Sequence, residues 1–127
     1  MHENHLFEYA VIRVVPRVER EEFMNVGVIL YCSGKNYLQF VYEVNEARLS
    51  AFSESMDVQE IEKYLDALRR ICEGRKAGGP IGSLPISSRF RWLTATRSTV
   101  VQASKVHPGF CENPDETLRR LFEQQVR

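Results

Sequence analysis

The chain has 127 residues, enough for one domain around one core, with 43% apolar and 27% charged side chains. Seventeen basic residues balance seventeen acidic ones, which argues against a wholly basic nucleic-acid coat and against an acidic tail protein. No apolar run approaches the roughly 20 residues of a membrane helix, so no membrane partner is expected.

Two features address location. Met1-His2-Glu3-Asn4-His5 lacks the basic region and apolar core of a secretory signal. Cys32, Cys72 and Cys111 are odd in number and far apart, which argues against a disulfide framework and for a reducing cytoplasm. Residues 1–6 are expected to be flexible and residues 1–127 to form a single domain.

In chain order, Phe7 to Val15 is dense in β-branched and aromatic residues and reads as a strand ending at Pro16. Met24 to Cys32 reads as a second strand, apolar on both faces and therefore central. The turn Ser33-Gly34-Lys35-Asn36 leads into a third strand, Tyr37 to Val44, and its length and chemistry make a hairpin. Asp57 and Glu60 form a capping box for a helix whose apolar stripe is Val58, Ile61, Leu65, Leu68 and Cys72, with Gly74 as its stop. Residues 74–88 are rich in Gly and Pro and read as a loop. Phe90 to Leu93 reads as a short strand and Ser98 to Ala103 as a better one. Asn113, Pro114 and Glu116 open a last helix with Leu118, Leu121, Phe122 and Val126 as its stripe. The fold class is α+β: an antiparallel sheet with an N-terminal strand and a hairpin, and two helices packed on one face.

The zero net charge hides an asymmetry. Between Glu73 and Glu112 there is no acidic residue, while Arg75, Lys76, Arg89, Arg91, Arg97, Lys105 and His107 fall there. Residues 1–73 compensate with thirteen acids against eight bases. Clustered cations hold an anionic partner, and Phe90 and Trp92, interleaved with Arg89 and Arg91, add stacking of the kind single-stranded nucleic acid uses. The same alternation also describes a half-buried strand whose charges neutralise the acidic half of the fold.

Arg13 interrupts an apolar strand and needs a partner or a route to water. Glu21 or Glu22, at the start of the next strand, supplies one. This makes either a strand-end ion pair or an anion clamp with Glu22 as acid or base. Asn25 orients a ligand or fixes the backbone at the strand start, and Gly27 marks close backbone approach or a bulge. His107 lies four residues from Cys111, but Pro108 and Gly109 between them deny helical geometry. No metal site and no cofactor is expected. Gly78 to Gly82 resembles neither phosphate-binding glycine pattern, and there is no serine elbow or nucleotide fingerprint.

The stretches "YAVIRVVP", "EEFMNVGVILY", "RFRWLTATRSTVVQASKVHPG" and "NPDETLRRLFEQQV", in that order, resemble an uncharacterised bacterial family, a domain of unknown function (DUF3037), from about Tyr9 to Val126. The resemblance carries no assigned activity or catalytic residues. It implies a small bacterial cytoplasmic protein, often encoded beside a protein similar to the HipA-type kinases of toxin–antitoxin systems. The leading expectation is therefore an accessory or binding protein rather than a free-standing enzyme. The kinase-type neighbour is its partner, as subunit or modulator, and the basic segment 75–107 faces an acidic surface. Arg89, Arg91, Arg97 and Lys105 supply charge, and Trp92 an aromatic anchor. The alternative is a nucleic-acid-binding or phosphodiester-hydrolysing protein using Glu22, Asn25 and His107, with Arg13 or Arg97 holding a phosphate. A homodimer is compatible with either.

Overall fold

The computed structural model describes residues 3–16, 22–53, 57–95, 97 and 99–127. The chain is an α+β protein built on an antiparallel sheet of five strands. Strands β1 (His5–Val14), β2 (Met24–Cys32) and β3 (Tyr37–Tyr42) form a meander with β1 at the centre of the sheet. β2 and β3 make the expected hairpin, with Cys32 opposite Tyr37 and Asn36 at the left-handed turn position (φ 50°). β4 (Val101–Ala103) and β5 (His107–Cys111) both pair with the other side of β1. They act as one long edge strand broken at 104–106. There Ser104 closes the gap: its Oγ accepts from the Val11 N–H at 2.8 Å, and its own N–H donates to the Val11 carbonyl.

The sheet is covered on both faces, not one. α2 (Val58–Glu73) packs Ile61, Leu65, Leu68 and Ile71 against Ala10, Ile12, Ile29, Tyr31 and Phe40. α5 (Pro114–Gln125) packs Leu118, Leu121 and Phe122 against Phe7, Val28, Leu30 and Cys32 on the opposite side. Alternation along β2 sends successive apolar residues into two different clusters, so both faces need a cover. Asp57 accepts from the Glu60 N–H and Asn113 from those of Asp115 and Glu116, as N-caps should.

Other expectations change. Five α-helices, not two, fall among the described residues. α1 (Glu46–Phe52) starts at an Asn45 cap, and α3 (Gly79–Gly82) is a single turn. α4 (Ile86–Leu93) takes the place of both the end of the expected loop 74–88 and the expected strand at Phe90–Leu93. Ile86, Phe90 and Leu93 are spaced for a helix, and Phe90 is wholly buried against Tyr31. His5 and Leu6 belong to β1 rather than to a flexible terminus, because β5 pairs with them.

Candidate functional site

The start of β2 is shaped by a bulge. Ile12 pairs with Gly27 but Arg13 with Asn25, so Val26 is the extra residue. The bulge reverses the alternation and turns Asn25 from the α2 face to the α5 face. There its Nδ2 donates to the Gln125 carbonyl at 2.9 Å, closing the end of α5 rather than bonding Arg13. Gly27 is required by close approach: a Cβ there would lie 2.6 Å from the Phe40 ring and 2.8 Å from the Val41 carbonyl oxygen.

Arg13 stands between Asn25 on β2 and Gln102 on β4. Its guanidinium lies 4.0 Å from the centre of the Phe23 ring. Partial burial lowers its pKa, and among the described residues its Nε has no hydrogen-bond partner, nor does the Asn25 Oδ1. Glu22 is exposed just before β2, and Glu21 lies outside the described residues.

His107 is elsewhere. It opens β5 opposite Tyr9, whose ring it contacts at 5.3 Å between centroids. Val14, opposite Met24 at the start of β2, is five residues further along β1. At about 3.4 Å per residue that is roughly 17 Å. Glu22 and His107 therefore do not converge, whereas Arg13 and Asn25 do. His107 and Cys111 sit at opposite ends of one extended strand and form no nucleophile–base pair. Among the described residues no group of three or more His, Cys, Asp or Glu is placed to hold a metal.

The basic candidates have structural employment. Arg89 Nη1 donates to the carbonyls of Ile71 and Cys72 at 3.2 and 2.8 Å, closing the end of α2 beside Gly74. Cations suit that position because the helix dipole is negative there. Arg91 reaches both carboxylate oxygens of Glu8 at 3.1 and 2.9 Å, tying α4 to β1. Arg97 donates to the Leu93 carbonyl at 3.4 Å and to that of Trp92, and its guanidinium lies 4.3 Å from the Trp92 ring centre. Trp92 is 36% exposed. Lys105 is exposed in the break between β4 and β5. The stacking pair expected of Phe90 and Trp92 does not form, since Phe90 is 0% exposed.

Several neighbours of these residues carry no sequence motif. Glu8 is the partner of Arg91, and Phe23 is the platform for Arg13. Leu6 and Phe110 face each other across β1 and β5, exposed by 55% and 71%. Strand parity would have revealed them once β5 was recognised. A cleft of about 400 Å³ between Pro16, Asp57, Glu60, Ile61, Tyr64 and Val100 is lined by none of the sequence-predicted site residues.

Fold and site together define a small α+β protein with an arginine–tryptophan surface and no assembled catalytic constellation among the described residues. The chain matches the family described as "Protein of unknown function (DUF3037)" over residues 9–126, and it belongs to that family. Comparison with curated proteins and with solved structures found no match.

Proposed function

We propose that the protein is an accessory module that docks an acidic partner protein through the outer side of α4. The observation that carries this reading is Arg97 stacked on the exposed Trp92, with Arg91 adjacent. Tryptophan and arginine dominate binding hot spots. Here the guanidinium is already held by two carbonyls, so little conformational freedom is lost on docking. The family resemblance supplies the candidate partner: the HipA-like, kinase-type protein encoded beside such proteins, in a bacterial cytoplasm and a toxin–antitoxin neighbourhood. The chain acts as its binding subunit or modulator, not as an enzyme.

The nucleic-acid alternative is weaker. Arg89 is committed to the end of α2 and Phe90 to the core. Hydrolysis through Glu22, Asn25 and His107 is weaker still, given their separation along β1.

Co-expression of the tagged chain with the adjacent kinase-type protein tests the reading. Stoichiometric, nuclease-resistant recovery is expected. Trp92→Ala and Arg97→Ala should each weaken binding by about tenfold or more while the melting curve stays cooperative. Undiminished binding by both variants, or recovery that disappears with nuclease, overturns the proposal.

A further inference from the structure

A cleft lies between the first two turns of α2 and the start of β4, with Pro16 at its end. Helical period builds one wall: Asp57, Glu60, Ile61 and Tyr64 are spaced i, i+3, i+4 and i+7. Thr99, Val100 and Val101 make the other. Ile61 and Val101 are buried members of the core and form the floor, whereas Tyr64 and Val100 are 38% and 46% exposed and form the rim. The β4 wall is fixed in place. The Val15 N–H donates to the Val100 carbonyl and the Thr99 hydroxyl to that of Val101, both at 2.6 Å. The volume of about 400 Å³ suits a small molecule, and walls on three sides favour a compact ligand over a peptide strand.

The cavity and its charge together select the ligand. Among the described residues Asp57 and Glu60 are the only charged groups lining it, both exposed, and neither has an ion-pair partner there. Further along α2, by contrast, Asp66 is taken by Arg69 and Arg70, and Glu73 by Arg69. An anion gains little from this helix start, because the Glu60 N–H already bonds the Asp57 side chain and the Ile61 N–H the Asp57 carbonyl. A neutral apolar ligand would strip water from the carboxylates and return no partner. A bare metal ion would meet two carboxylates above a hydrocarbon floor, not the all-oxygen shell of a calcium or magnesium site. A cation on an aliphatic stem satisfies both parts. The stem covers Ile61, Val100 and Val101, and the head lies at the carboxylate rim beside the Tyr64 ring, whose face attracts cations. We infer that this cleft binds a small aliphatic ammonium compound. No residue of α4 takes part, so the inference stands apart from the accessory-module reading.

The test is a nitrogen-15 NMR titration of the full chain with three probes of one shape: n-pentylamine, n-pentanol and pentanoate. The amine, like that of lysine, is a cation at neutral pH. It should shift the amides around Glu60–Tyr64 and Thr99–Val101 with half-saturation at about 1 mM or below. Pentanol should bind at least about tenfold more weakly, and pentanoate should shift nothing there. Glu60→Gln, and Asp57→Asn, which keeps the helix cap, should each weaken the amine by about threefold and lessen its salt dependence. Val100→Lys, a change at an exposed position, places a tethered ammonium over the rim and should abolish binding with unaltered circular dichroism. A capped Gly-Lys-Gly peptide should bind more weakly than the free amine, because its flanking backbone meets the walls. Absent or scattered shifts, pentanoate or pentanol binding as well as the amine, undiminished binding by all three variants, or a peptide that binds more tightly overturns the inference.

Discussion

Replacing Gly27 with alanine tests the bulge that sets the start of β2. The added Cβ would meet a Phe40 ring carbon at 2.6 Å, the Val41 carbonyl oxygen at 2.8 Å and the Tyr42 Cβ at 3.0 Å. The ring has little room to yield, because Phe40 is buried between β3 and α2. The carbonyl belongs to the paired backbone of β3 and moves only with the ladder. Overpacking of this kind costs about 1–3 kcal/mol. The loss of unfolded-state freedom on Gly→Ala offsets about 0.4–1 kcal/mol of that. The middles of both ranges leave a net destabilisation of about 1.3 kcal/mol, and at a urea slope near 2 kcal/mol/M the midpoint falls by roughly 0.6 M. Gly34→Ala is the control. Its Cβ would meet only the His5 side chain, at 3.0 Å, which can rotate away. A Gly27→Ala midpoint equal to that of the control would refute the close approach and, with it, the register that turns Asn25 toward α5.

Arg89→Ala should lower stability by about 1.5–3 kcal/mol, because it removes charge-assisted bonds to the Ile71 and Cys72 carbonyls, and thermal melting reads the loss. If Arg89→Ala melts like wild type, the arginine is not closing α2. Burial pushes the Cys72 thiol up to about 12. The folded chain thus keeps this proton after the unfolded chain, near pH 8.5–9, has lost it. The stabilisation is complete below that point and is lost as pH rises toward 12, by about 1.4 kcal/mol per pH unit. Cys72→Ala should flatten that part of the profile, and an unchanged slope would assign it to other groups. The native thiols, all buried, should alkylate slowly at pH 8 and all three quickly in urea; rapid native labelling would contradict their burial.

The parts of this fold that were legible in the sequence are those with a strong local period and a cap. α2 and α5 carry both, β1 a dense β-branched run stopped by Pro16, and the β2–β3 hairpin its turn. α4 was obscured because Arg89, Phe90, Arg91 and Trp92 alternate like a strand. What decides for a helix is non-local: Arg89 closing the distant end of α2 and Phe90 reaching Tyr31. β5 was obscured by Pro108 and Gly109, residues that weaken a strand. Gly109 is there because the Phe7 ring lies over it, and a Cβ would lie 2.5 Å from the Phe7 Cζ. That contact joins residues a hundred positions apart. The second helical layer was implied by β2, whose two apolar faces require two covers. As for the site, Arg13 and Asn25 were recognisable as neighbours at a strand start. The charge asymmetry was real in composition, but its arginines are dispersed to helix ends and to Glu8.

The two covers differ in when they become available. β1 and β2 meet α2 within the first 73 residues, and Phe90, Leu93 and Val101 complete that core, so it closes before α5 is made. Phe7, Val28, Leu30 and Cys32 wait for a helix that ends at Gln125. A chain still being synthesised thus presents a sheet with one dry side and one wet apolar side. That species adheres to its neighbours until α5 emerges. A chain shortened before Asn113 is accordingly expected to be captured by chaperones or to precipitate, and α5 completes folding as a closing step.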